Sequence, residues 1–192
     1  MTNLLQRSIR NAALLSGIIL GGVLAASGQA VATGGRGADL SPFAFATVVG
    51  PDYGQPHDFG YTLGIDYTHF IRFILQPSVE VRFARASGQQ IDENSFGGGL
   101  KFHTNIGRVR PYAAALIGQG NLTFHHAGAD TKIDKSTAYW YGGGAEYEVN
   151  SQWRIRGEFM QQYWNLDPGS ITPSMFSVGF AYSIPFRHGR GH

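Results

Sequence analysis

The stretch Met175-Phe176-Ser177-Val178-Gly179-Phe180-Ala181-Tyr182-Ser183-Ile184-Pro185-Phe186 alternates without a break between large apolar and small or polar side chains. Side chains on a strand point to opposite faces with a period of two. Phe176, Val178, Phe180, Tyr182, Ile184 and Phe186 therefore form one wall, and Ser177, Gly179, Ala181 and Ser183 the other. A core lined by the bulky wall of every such strand would be overfilled with aromatic rings. The reverse arrangement, bulk outward into lipid and small groups inward, is that of a transmembrane β-barrel.

The same strand resembles the C-terminal assembly signal of bacterial outer-membrane barrel proteins. The matching residues are a polar Ser177, Gly179 two residues on, hydrophobic Tyr182 and Ile184, and the aromatic Phe186. In this chain the motif is followed by Arg187-His188-Gly189-Arg190-Gly191-His192, so the signal would be read internally.

Residues 1–32 have the layout of a secretory signal peptide: Arg7 and Arg10, an apolar run from Ala12 to Leu24, and small residues closing on Ala30-Val31-Ala32. That run is shorter than the ~20 residues a spanning helix needs. A Gly-rich lead-in over 33–39, a barrel over 40–186 and a polar tail over 187–192 follow as the expected organisation. Lys+Arg 15 stands against Asp+Glu 13, and without the leader's two arginines the charges balance, leaving no basic excess to attract nucleic acid. The chain has no cysteine, hence neither a disulfide framework nor thiol chemistry.

Strand-like alternation recurs in eight segments: 41–49, 59–68, 73–85, 95–104, 110–124, 137–149, 153–165 and 175–186. Connections alternate between long stretches rich in Gly, Pro, Asp, Asn or Ser (50–58, 86–94, 125–136, 166–174) and tight turns around 69–72, 105–109 and 150–152. Long loops on one side and short turns on the other is the pattern of an eight-stranded antiparallel up-and-down transmembrane β-barrel, with the short side facing the periplasm.

A spanning barrel places aromatic residues in two belts where strands meet headgroups. The alternation puts Phe43, Phe45, Tyr67, Phe73, Phe102, Tyr112, Tyr147, Trp153 and Phe186 outward near the short-turn end. Phe59, Tyr61, Phe83, Phe96, Phe124, Tyr139, Tyr141, Tyr163 and Phe176 fall outward near the long-loop end, with Leu63, Val81, Ala114, Leu116 and Ile155 between. Phe73 to Phe83, Trp153 to Tyr163 and Phe176 to Phe186 each advance ten residues. At ~3.3 Å per residue and ~40° of tilt that is about 25 Å, the height of an apolar band.

The opposite face collects Asp66, Glu80, Arg82, Lys101, His103, Glu146, Glu148, Arg154, Arg156 and Glu158 among many glycines. Pairing across the Asn150-Ser151-Gln152 turn sets Glu148 against Arg154 and Glu146 against Arg156. An eight-stranded barrel is just wide enough inside for its side chains, so a packed ionic interior without an open channel is expected.

Candidate chemistry is sparse. His125-His126 with Asp130 could ligate a metal, but adjacent loop residues seldom converge on one ion, and a solvated loop is the simpler reading. Glu158 with His103 has no nucleophile placed beside it by spacing. Gly97-Gly98-Gly99 and Gly142-Gly143-Gly144 lack the Lys-Ser/Thr or helix of a phosphate loop. Tyr139 and Tyr141 read as belt, with Trp140 at an interior rim. No catalytic residue, metal or cofactor is assigned.

As a pattern, residues 40–186 resemble the small outer-membrane barrels that include the membrane domain of outer membrane protein A, outer membrane protein X and the opacity adhesins. The resemblance implies a monomer in outer-membrane lipid, delivered by periplasmic chaperones and the barrel-assembly machinery, serving as envelope structure or binding through its outer loops. No wall-binding domain is expected after Phe186. Two rivals remain open. One is a lipid A acyltransferase or deacylase of the outer leaflet, for which His125, Ser136 and Asp134 are the nearest candidates. The other is a secreted soluble barrel holding an apolar ligand.

Overall fold

Alternation punctuated by turn residues yields ten strand segments: β1 (Ala38–Gly50), β2 (Asp58–His69), β3 (Gln76–Ser87), β4 (Ile91–His103), β5 (Val109–His126), β6 (Ala129–Glu148), β7 (Trp153–Leu166), β8 (Gly169–Ile171), β9 (Ser174–Tyr182) and β10 (Ile184–Phe186). The computed structural model describes residues 37–50, 57–88, 91–126, 129–166 and 169–186. The expected leader, most of the lead-in and the tail after Phe186 lie outside the described residues.

Successive strands pair antiparallel, and β8, β9 and β10 follow one another along a single interrupted stave. On one side β8 and β9 pair with β7; on the other, β9 and β10 pair with β1. Eight staves thus close into a barrel. Paired residues trace a spiral from Leu40 through Tyr67, Val79, Leu100, Ala115, Tyr141, Gln161 and Ser174, returning to β1 at Gly50, ten residues beyond the start. That stagger over eight staves fixes a strand tilt of ~40°.

The short turns are built locally. Ile106 and Val109 exchange backbone hydrogen bonds of 2.8 and 3.0 Å around Gly107. Gly107 has φ of +62°, a conformation that glycine adopts without strain. The Asn150 carboxamide oxygen accepts from the backbone N–H groups of Gln152 (2.9 Å) and Trp153 (2.8 Å), an Asx turn.

Several boundaries differ from the sequence reading. β3 starts at Gln76, so Phe73 belongs to the turn and not to the strand. β1 starts at Ala38, which brings Asp39 into the barrel wall. The expected third loop, 125–136, is strand: β5 and β6 stay paired up to His126 opposite Ala129. Gly120 pairs with Ser136 and Leu122 with Ile133, so β6 carries one extra residue there, a β-bulge that bends the hairpin without ending it. Connections 86–94 and 166–174 shorten in the same way, with Ser87 opposite Asp92 and Leu166 opposite Gly169.

Candidate functional site in the barrel lumen

Sidedness is read from burial. On β3, Val79, Val81 and Phe83 are exposed, whereas Ser78, Glu80, Arg82 and Ala84 are buried. The same alternation exposes Phe176, Val178 and Phe180 on β9 and buries Met175, Ser177 and Ala181. Tyr67, Phe102, Trp153, Phe59, Phe83 and Tyr163 of the expected belts all lie on the outer surface. Tyr182 packs edge-on against Trp153 (5.0 Å), and Ile184 and Phe186 are exposed beside it, with Ser177 and Gly179 turned inward.

Three aromatic assignments are corrected. Phe43, Phe45 and Tyr112 point into the lumen, 5%, 3% and 7% exposed, and Ala114 and Leu116 follow Tyr112 inward. On β1 the two phenylalanines share the parity of Asp39, Ser41 and Thr47, all buried. On β5, Tyr112 shares the parity of buried Arg110. The hydrogen-bonding groups set the phase of these strands, and the rings follow because the lumen can use them to cover a cation.

That cation is Arg156. Its guanidinium donates to Glu80 (2.8 Å), Glu158 (3.1 Å), Asp66 (3.2 Å) and the Tyr112 hydroxyl (2.8 Å). It also lies 4.6 Å from the ring centroid of Phe43, 5.1 Å from that of Phe45 and 4.6 Å from that of Tyr112. Gly64 makes room for this stack, since a Cβ there would run into the Phe43 ring. Around the centre, Arg82 donates to Glu158 (2.7 Å) and Glu80 (2.8 Å), and Tyr112 donates to Glu158 (2.7 Å). Lys101 reaches Asp66 (2.7 Å) and Glu146 (2.9 Å). Nearer the short turns Arg154 joins Glu146 (2.9 Å) to Asp39 (3.1 Å), and Arg110 holds Glu148 (2.9 Å).

The expected register across the Asn150 turn is present, Glu146 opposite Arg156 and Glu148 opposite Arg154. The ion pairs themselves run diagonally. Arg156 stands 3.9 Å from Glu146, and Glu148 pairs with Arg110 in place of Arg154. Long guanidinium side chains reach past their direct neighbours wherever better hydrogen-bond geometry is available.

Toward the long-loop end the lumen changes character. Val49, Leu116, Leu122, Ala138, Trp140, Met160, Trp164 and Met175 form one buried apolar cluster. Trp140 seats against Gly97, where a Cβ would strike its ring, and Trp164 against Gly120. The sequence reading expected a packed ionic interior with Trp140 at its rim. The structure stacks an ionic tier and an apolar tier within the bore.

Glu158 is engaged by Arg82, Arg156 and Tyr112, and His103 belongs to a different part of the lumen, its two ring nitrogens without a hydrogen bond among the described residues. The Ser177 hydroxyl is bound to Thr47 (3.1 Å), which is bound to Thr62 (2.9 Å). Ser136 donates to the Asn165 carbonyl (2.7 Å). The side chains of Phe124, His125, His126, Asp130 and Asp134 lie outside the described residues. Among the described residues no group of three His, Asp or Glu side chains is arranged to hold a metal ion.

A closed antiparallel barrel with aliphatic and aromatic side chains outside and sealed charges inside is a transmembrane barrel. Residues 13–183 match the family model described as "Outer membrane protein beta-barrel domain". The chain belongs to that family and resides in the outer membrane.

Solved structures share the fold. Neisserial surface protein A is 16% identical with a TM-score of 0.56, covering 79% of this chain and 99% of its own. Ail, the attachment invasion locus protein of Yersinia pestis, is 18% identical with a TM-score of 0.54, covering 78% and 99%. The N-terminal barrel domain of Pseudomonas aeruginosa OprF is 14% identical with a TM-score of 0.55, covering 78% and 99%. No curated protein sequence matches the chain significantly.

Proposed function

We propose that this barrel is a surface-binding protein of the outer membrane that captures extended segments of external proteins along the free edge of its β5–β6 hairpin. The observation that carries the reading is the pairing of β6. Residues 129–136 pair with β5, but β6 meets β7 only from Thr137 opposite Asn165 onward. Among the described residues no strand pairs with the other edge of that segment. A row of backbone N–H and C=O groups is thereby offered to a partner strand, starting three residues beyond Tyr139 in the outer belt and ending ten residues, ~25 Å, beyond it. Such an edge is a template for strand addition.

Binding of this kind needs no catalytic group, and we read the protein as a non-enzymatic monomer. Its final stave, with Ser177, Gly179, Tyr182, Ile184 and Phe186, supports delivery by periplasmic chaperones and the barrel-assembly machinery. One structural neighbour, Ail of Yersinia pestis, is an attachment invasion locus protein, and a binding role for the present barrel is in keeping with that.

Proline removes a backbone donor and is excluded from a paired edge. Detergent-folded wild type and a Thr131→Pro/Ile133→Pro variant are passed over an array of extended, β-prone ten-residue peptides. Retention by the wild type, reduced at least tenfold in the variant while the heat-modifiable gel shift of the barrel persists, is the expected result. Equal retention by both, or by neither, would contradict edge capture.

A further inference from the structure

At the opposite end of the barrel, the β2–β3 turn carries larger and more exposed apolar side chains than the β4–β5 turn, where Ile106 and Val109 are exposed, or the β6–β7 turn. Phe73 and Ile74 are 66% and 75% exposed, with Ile71 and Leu75 exposed beside them and Arg72 at the tip. The β6–β7 turn, Asn150-Ser151-Gln152, is polar, as a turn in water is expected to be. A cluster of large apolar side chains projecting from a membrane protein marks a surface that is covered in its working state.

The turn is held rigidly. The buried Gln76 side chain reaches back across it, accepting from the Ile71 N–H (2.9 Å) and donating to the carbonyls of Ile71 (3.0 Å) and Phe73. The Phe70 N–H donates to the Gly37 carbonyl (3.3 Å). Backbone polar groups that water would satisfy in an ordinary turn are thus bonded within the protein, the condition for backbone to leave bulk water.

The patch is also continuous with the lipid-facing wall. Phe186 on β10 pairs with Ala38 on β1, which pairs with His69 at the foot of β2, so one sector of the rim joins the turn to the exposed end of the last stave. Along β3, Gln76 lies three residues past Val79 in the lower band, ~8 Å at the tilt of this barrel, and the turn that carries Phe73 follows it. Apolar surface on this sector therefore runs to the edge of the ~25 Å band within the turn itself.

We propose that the β2–β3 turn is an interfacial wedge, inserted into the headgroup–acyl boundary of the phospholipid leaflet on the short-turn side. Phe73 and Ile74 enter the acyl region and Arg72 pairs with lipid phosphate. A long cationic side chain keeps its stem in apolar surroundings while its head reaches the phosphates, so Arg72 and the apolar pair beside it act together as an anchor for this sector of the rim.

The chain contains no cysteine, so Ile74→Cys, Phe73→Cys and Ser151→Cys each create a unique labelling site. Each variant carries a nitrobenzoxadiazole fluorophore and is folded into nanodiscs of phosphatidylcholine and phosphatidylglycerol, which leave both faces open to solvent. Folding is checked by the gel shift, and the two wedge positions are read independently. Labels at 73 and 74 are expected to be quenched at least threefold more than the label at 151 by lipid bearing a nitroxide at acyl carbon 5. They should be several-fold less sensitive than the label at 151 to aqueous iodide. Iodide sensitivity at 73 and 74 equal to that at 151 would overturn the wedge and leave the patch to a protein partner.

Discussion

Arg156 shows what the interior costs and what holds it. Its guanidinium is fully enclosed, hydrogen-bonded to three carboxylates and the Tyr112 hydroxyl, with Glu146 beyond them and the rings of Phe43, Phe45 and Tyr112 against it. Desolvation opposes such a group, so the network adds less stability than its short distances suggest, but removing one member strands the others unpaired. Arg156→Ala is expected to lower stability by about 3–5 kcal/mol, measured by urea unfolding in lipid vesicles. Arg85→Ala, on the exposed outer face, should stay within about 0.5 kcal/mol. The lumenal charges were legible in the sequence because Asp66 on β2, Glu80 and Arg82 on β3, Lys101 on β4, Glu146 on β6 and Arg154, Arg156 and Glu158 on β7 stand opposite in parity to the large apolar residues beside them. Phe43, Phe45 and Tyr112 were not, because ring size suggested lipid. The parity of Asp39 and Arg110 carried the correct signal.

Strands and turns were legible where turn chemistry is compact, as at Gly107 and Asn150. They were obscured where both faces of a hairpin meet water. The stretch from His125 to Ser136 is rich in Gly, Asp, Lys and Ser and reads as loop, yet backbone pairing continues through it because a strand beyond the membrane needs no apolar face. Phe73 was misplaced for the opposite reason, an aromatic residue in a turn being easily taken for the start of a strand. Glycines within strands report packing more than flexibility. Gly97 on β4 is the seat of the Trp140 ring on β6, two staves away. Gly97→Val should therefore overpack the apolar tier and cost about 1–3 kcal/mol, with loss of the near-ultraviolet circular dichroism of the ordered indole. An unchanged aromatic signal would show that Trp140 is seated elsewhere.

The complete barrel joins two solutions to filling a narrow bore: an ionic tier toward the short turns and a tryptophan–methionine tier toward the outside. Closure and staves of alternating character could be read from the sequence. The division into tiers could not, since inward-facing apolar residues on β5, β6, β7 and β9 compete with outward-facing ones for the same reading. Planar bilayers containing the wild type should show no stepwise conductance, while Trp140→Ala/Trp164→Ala should admit small ions through the thinned tier. Steps of equal size in both would mean the bore is already open. The most direct measurement is of sidedness itself: nuclear Overhauser effects between lipid acyl protons and side-chain methyls of the protein in nanodiscs. Cross-peaks to Leu63, Val81 and Val178, and none to Val49, Leu116 and Leu122, are the predicted result. Lipid contacts at Val49, Leu116 and Leu122 with silence at Val81 and Val178 would contradict it.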